Sequence, residues 1–218
     1  MDTLVQFFQD SVEVREFGWN TGTIGAFGIV LITFVQVWGI VLQARTIRTR
    51  KSGDGVSIIF NTFLFFELAA LLIYAVEKKS LSMAFNATLV AASLIPLVHA
   101  LMKYRWWKPR ETFSLFFVFP FIPVLMWVLE TKGREIYLFL LLLGILAGLW
   151  QQFREFRAAP GLGGFDVRFA YAFMLASVFW FMFSLAINDW VLIIFNPVAG
   201  AIWVTIYVEY RKKLRSPT

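Results

Sequence analysis

The chain has 218 residues, of which 59% are hydrophobic and 18% aromatic, while only 16% are charged. That composition lies far outside the range of soluble domains, and the short stretches between its apolar runs leave no room for one. There is no cysteine, which excludes disulfides, thiol chemistry and thiolate metal sites, and the formal net charge is +6.

Residues 1–23 do not read as a secretory signal. They carry Asp2, Asp10, Glu13 and Glu16 where a basic start and an apolar core would be needed. Leu4, Phe8 and Val12 recur at helical spacing and predict a short interfacial helix. Apolar runs follow at 24–42, 57–76, 81–102, 113–129, 136–149, 169–187 and 191–208. A spanning helix needs about 17–25 residues, so seven spans are expected. The fifth reaches that length only if Trp150 through Phe156 continue the helix. The fourth holds Pro120 and Pro123 and reads as a kinked helix.

Charge predicts the orientation. With the first span entering from outside, fifteen of the twenty Lys and Arg residues fall on the cytoplasmic side. Only Arg15, Lys78, Lys79, Lys132 and Arg134 lie opposite. This positive-inside bias places the N-terminus outside and the C-terminus in the cytoplasm. It also accounts for the net charge without a nucleic-acid partner, since the basic residues sit at headgroup level.

The hydrophobic pattern occurs twice. Gly39-Ile40-Val41-Leu42-Gln43, a basic turn with Arg48, and Gly55 recur 109 residues later as Gly148-Leu149-Trp150-Gln151-Gln152, Arg157 and Gly164. Each copy lies within three spans, 24–104 and 135–213, with the fourth span in 105–134 between them and a short tail at 214–218. Two three-helix units separated by one helix run parallel, because the single helix inverts the chain. Parallel repeats in a bilayer place a pathway at their seam.

On these residues the chain resembles the PQ-loop superfamily, and within it the SWEET-type carriers of 3+1+3 architecture. Gln43 with Arg48, Arg50, Lys51, Ser52, Gly55 and Ser57 stands where the family has Pro-Gln, a basic turn and a Ser-initiated helix. Gln151-Gln152 with Arg157, Gly164 and Asp166 is the second copy. Trp180-Phe181-Met182-Phe183-Ser184 is similar to the family's Trp-x-x-Tyr-Gly, with Leu71 through Ala75 at the same place in the first unit. The family's substrate-facing Asn matches Asn86 and Asn196, 110 apart, so one residue is inserted before the second. The resemblance implies an all-α fold of two parallel three-helix bundles and a solute site between them. Spans 1, 2, 5 and 6 lack the family's helix prolines, and glycines such as Gly25, Gly28, Gly39, Gly144 and Gly148 stand in as points of pliability.

Each polar residue in these spans needs a reason. Asn86 and Asn196 must be hydrogen-bonded in lipid, either as interhelical glue or facing a wet cavity. Trp180 lies too deep in its span to be a headgroup anchor, unlike Trp19, Trp106, Trp107 and Trp190, and offers a flat face to a ring. Leu71 at the equivalent place makes the pocket one-sided. Glu67, at mid-span and four residues before Leu71, is the sharpest anomaly: a carboxylate there costs several kcal/mol unless paired, protonated or hydrated. It reads as a proton-coupling group, a contact for a substrate amine, or a protonated structural acid. His99, Gln43 and Gln152 are further relay or gate candidates, and Gln36 and Asn61 read as packing residues.

Nothing points to catalysis. No His/Asp/Glu cluster has metal-ligand spacing, no nucleophile–base pair stands out, and Pro160-Gly161-Leu162-Gly163-Gly164 lacks the Lys-Ser/Thr of a phosphate loop. The expectation is a carrier for a small polar, sugar-like solute, without cofactor or metal, in contact with the bilayer. A homo-oligomeric state stays open. The alternative is a membrane receptor or sorting protein of the same fold that binds without transporting.

Overall fold

The computed structural model describes residues 9–15 and 17–215. After a helical turn, Val12–Arg15, seven long helices follow: α1 Thr21–Arg50, α2 Ile58–Glu77, α3 Leu81–Tyr104, α4 Pro109–Val128, α5 Thr131–Ala158, α6 Val167–Ala186 and α7 Trp190–Arg215. All seven are long and apolar enough to cross a membrane. The protein is an all-α integral membrane protein. Helix α5 does continue past Trp150, to Ala158. At 1.5 Å per residue the 30-residue α1 is about 45 Å long, so its basic last turn projects beyond a hydrocarbon core of about 30 Å. Leu4 and Phe8, two of the three residues that predicted an interfacial helix, lie outside the described residues.

Short polar residues set the helix starts. Asn20 accepts from Thr23 N–H (2.8 Å), Ser57 from Phe60 N–H (3.3 Å), Ser80 from Met83 N–H (3.3 Å) and Asp166 from Arg168 N–H (2.9 Å). Asp189 accepts from Val191 and Leu192 N–H (3.1 and 3.2 Å). Each satisfies a donor that the first turn leaves without an intrahelical partner. In α4 the kink takes a definite form. A π-helical turn, Ser114–Val118, precedes Pro120, and Phe119 N–H reaches back to the Ser114 carbonyl (2.9 Å). The proline ring cannot sit over a regular turn and brings no N–H, so the chain widens there.

Six helices form a closed ring. Helix α1 packs on α3 and α6, α3 on α2, α2 on α5, α5 on α7, and α7 on α6. Helix α4 stands outside it, mainly against α2. The neighbour order is unchanged when α1, α2 and α3 are exchanged for α5, α6 and α7. Close approach at both seams uses glycine. A Cβ on Gly39 would come within 3.3 Å of the Phe169 Cα, and one on Gly148 within 3.5 Å of the Phe60 Cα, and both pairs are related by the same 109-residue offset. The offset also relates Lys79 and Asn188, which share a left-handed backbone (φ 52° and 53°) before the capping residues Ser80 and Asp189. The outward faces are apolar, as at Phe27, Leu31, Phe34 and Trp38 of α1, which fits a bilayer as surrounding medium.

Candidate functional site

A cavity of about 90 Å³ lies inside the ring, lined by α1, α2, α3, α5, α6 and α7. Helix α2 contributes Phe60, Leu64, Glu67, Leu68 and Leu71, a stripe some 16 Å long at the α-helical rise. Helix α6 faces it with Phe173, Ala176, Ser177 and Trp180. The cavity thus brings together five of the residues singled out by sequence: Glu67, Leu71, Asn86, Trp180 and Asn196. It has room for a few waters and falls well short of the roughly 300 Å³ of a ligand-filled pocket.

The two asparagines differ in their bonding. Asn86 donates through Nδ2 to Thr33 Oγ1 and to Gln36 Oε1, both at 2.7 Å, tying α3 to α1. Thr33 already gives its own proton to the Ile29 carbonyl (2.7 Å), which fixes the amide with its nitrogen toward α1. Asn196 instead donates to the Leu192 carbonyl of its own helix (2.7 Å), which fixes its orientation too. The partners explain the difference: α1 offers Thr33 and Gln36 to Asn86, whereas Leu142 and Ile145 stand at the equivalent places of α5. Asn86 is therefore seam and cavity wall at once; Asn196 is cavity wall alone.

Glu67 is 3% exposed and makes no hydrogen bond or ion pair with any described residue. Its equivalent in the second unit is Ala176. Trp180 stacks edge-on to Phe183 (6.1 Å between centroids, 80°) and keeps contact with the cavity. Sequence reasoning passed over two lining residues. Gln36, read as a packing residue, lines the cavity and accepts from Asn86. Trp203 sits among Phe60, Phe169 and Phe173 with centroids 5.4–5.9 Å away. Its place seven residues after Asn196 on one helix was the available signal. His99 lies on the exposed side of α3 and does not line the cavity, which removes it as a relay within the site. Asn61 donates to the Ser57 carbonyl (2.7 Å), and its Oδ1 has no partner among the described residues.

Gln43 and Gln152 stand at the end of the cavity where the basic loops lie. Gln43 donates to the Gly164 carbonyl (2.7 Å) and accepts from Asp166 N–H (2.8 Å). Gln152 donates to the Gly55 carbonyl (2.7 Å) and accepts from Ser57 N–H (2.7 Å). All eight groups are related by the 109-residue offset. The two loops also meet directly: Gly164 N–H donates to the Asp54 carbonyl (2.8 Å), and Arg50 Nη1 to the Gly163 carbonyl (2.6 Å). Arg105 adds a third tie, pairing with Glu155 (2.9 Å) and Glu111 (3.3 Å) and donating to the Val56 carbonyl. This end is closed.

The opposite end is tied by side chains rather than backbone. Tyr74 donates to Asp189 (2.9 Å), Lys78 pairs with Glu135 (2.6 Å) and Arg134 with Glu77 (2.7 Å). A polar recess of about 270 Å³ lies there, bordered by Tyr74, Lys78, Glu135, Asn188 and Asp189. Beside it, Glu13 of the N-terminal turn accepts from the hydroxyls of Ser80 (2.6 Å) and Ser82 (2.7 Å) and from Ser82 N–H (3.0 Å).

No protein-family model, characterised protein or solved structure matches the chain. No group of three or more metal-ligating side chains occurs among the described residues.

Proposed function

We propose that this chain is a membrane carrier for a small polar solute, working by alternating access in a SWEET-like 3+1+3 arrangement. Units 24–104 and 135–213 are the moving halves, and α4, within 105–134, is the inverting linker. The observation that carries the reading is the reciprocal pair of glutamine locks at one end of a cavity ringed by equivalent helices. A lock built from two copies of one motif belongs to a gate between two copies of one unit.

Each glutamine makes two hydrogen bonds worth about 1 kcal/mol apiece net, so the four together hold the gate by roughly 4 kcal/mol. A barrier of that order keeps one end shut while leaving the open form thermally reachable. The positive-inside bias supports placing the locked end in the cytoplasm, with the N-terminus outside. Solute then enters from the recess near Tyr74 and Asp189. It is held by Asn196, Trp180 and the amide oxygen of Asn86, and leaves when the locks release. Glu67 is the coupling group, because only a neutral carboxyl is inexpensive in a dry apolar cavity.

Uptake by purified protein in liposomes, across sugars, amino acids and vitamins with and without a pH gradient, tests this. Saturable uptake of one class is expected, lost in Trp180→Ala and Asn196→Ala. Glu67→Gln is expected to lose dependence on the gradient. Saturable binding without any uptake would replace the carrier by a receptor or sorting protein of the same fold.

A further inference from the structure

Charge balance in the cavity points beyond a generic polar solute. Glu67 is the only ionisable side chain lining it, and the contributions of α1, α3, α5, α6 and α7 contain no lysine, arginine, histidine or second acid. Helix α4, which packs behind α2, has no charged residue between Ser114 and Val128. Nothing in the described protein therefore neutralises this carboxyl, although it is 3% exposed and borders empty space. In water such a group would be hydrated; in a ring of leucine and phenylalanine it needs a proton or a cation.

The remaining walls suit a cation. Trp180 and Trp203 line it, with the rings of Phe60 and Phe173 beside Trp203. Aromatic faces attract cations most strongly when water is excluded. The asparagines add acceptors, since both have an Nδ2 committed to a protein oxygen while no described residue donates to their Oδ1 atoms. A neutral solute would leave the carboxyl without a counter-charge, and an anion would meet a carboxyl of its own sign.

We infer that the cavity is a site for a small organic monocation, an amine or quaternary ammonium with an apolar body, and that Glu67 is its counter-ion. This rests on the cavity being the solute site of the proposed carrier. One carboxyl then serves the proton and the cation in turn, and a cation can enter only as the proton leaves for water.

The test uses the full chain in lipid nanodiscs and compares cations with their uncharged isosteres. The probes are choline against 3,3-dimethylbutan-1-ol and phenethylammonium against 2-phenylethanol, with glucose as a neutral polyol. At least one cation is expected to bind tenfold or more tightly than its isostere. Glu67→Gln is expected to bring that ratio below about twofold with thermal stability unchanged or raised. Glu67→Asp is expected to keep part of the preference. Equal binding of a cation and its isostere overturns the inference, as does a preference that survives in Glu67→Gln, or no binding of either cation. The carrier reading fails separately. Cation binding with no uptake in liposomes removes the carrier and leaves the site; uptake of a neutral sugar without cation preference does the reverse.

Discussion

Gln43 and Gln152 make the same two hydrogen bonds, each to the loop that follows the other. The amide of Gln43 bridges Gly164 and Asp166 after α5, and that of Gln152 bridges Gly55 and Ser57 after α1. Ser57 and Asp166 are also the caps of α2 and α6, so each lock holds the start of the other unit's second helix. Moving one helix start without the other breaks one lock and strains the other.

Gln43→Leu and Gln152→Leu keep volume and remove both bonds, leaving a buried N–H and a buried carbonyl without partners. At about 1–3 kcal/mol for each of the two orphaned groups, each variant is expected to cost about 2–6 kcal/mol. Thermal unfolding in detergent measures it. Because the loops touch through Gly164 and Asp54, the double variant is expected to fall short of the sum of the two. Strict additivity would mean that the locks act independently.

Gly163 and Gly164 are where the two loops approach most closely, and Gly164 does so without a left-handed backbone. A Cβ there would lie 2.2 Å from the Ser52 carbonyl oxygen, which is backbone and cannot swing away. At Gly148 the nearest atom is a Phe60 ring carbon at 3.3 Å, which can yield. Gly164→Ala is therefore expected to part the loops, and Gly148→Ala to be tolerated. The protein has no native cysteine, so a single one at Ser177 reports cavity access to a small thiol reagent. Labelling from the basic end should rise several-fold in Gly164→Ala and stay at background in Gly148→Ala.

Asn86 and Asn196 separate by phenotype. Asn86→Ala leaves Gln36 Oε1 and Thr33 Oγ1 without their donor and weakens the α1–α3 seam, by about 1 kcal/mol for a membrane interhelical bond. Asn196→Ala releases only a carbonyl of its own helix, so stability should be unchanged within error while solute affinity falls. Equal loss of melting temperature in both would show that Asn196 is also structural.

Glu13 gives the protein an acid-sensitive contact outside the spans. Burial by itself pushes this carboxyl up, but the bonds from Ser80 and Ser82 outweigh it and hold it below the usual carboxylate range. A group with a depressed folded value contributes stability that is complete above its unfolded value of about 4.3. That contribution disappears as pH falls through the lower folded value. Docking of the N-terminal turn is thus expected to be pH-independent near neutrality and to loosen in acid. Limited proteolysis ahead of α1 between pH 3 and 7 follows it, and Glu13→Gln should cleave readily at every pH.

Composition and the repeat made the seven spans, the anomaly of Glu67 and the pairing of the two glutamines legible from the residues. The glutamines' partners were not legible, because they belong to the opposite half and are chosen by packing across a seam. The unequal asparagines were half visible: the 110-residue spacing announced a break in the offset, but which amide would turn to its own backbone depends on where α1 offers Thr33. His99 could have been set aside earlier. Thirteen residues at about 100° each place it about 140° round α3 from Asn86, away from the cavity face. Trp203 was legible by the same reckoning and was hidden only by the number of tryptophans.

The crossed bonding of the two loops has a consequence for how the chain is made. Ser57 N–H waits for a partner 95 residues further on. At about 5–20 residues per second, about 5–20 s pass between the synthesis of Ser57 and that of Gln152. During that interval the start of α2 must turn to water at the membrane surface. Helices α1–α3 therefore enter the membrane with the loop after α1 open, and that loop acquires its final form only when α5 and α6 arrive. A stalled nascent chain ending before α5 should expose that loop to protease added on its side of the membrane, while the same loop in the finished protein is protected.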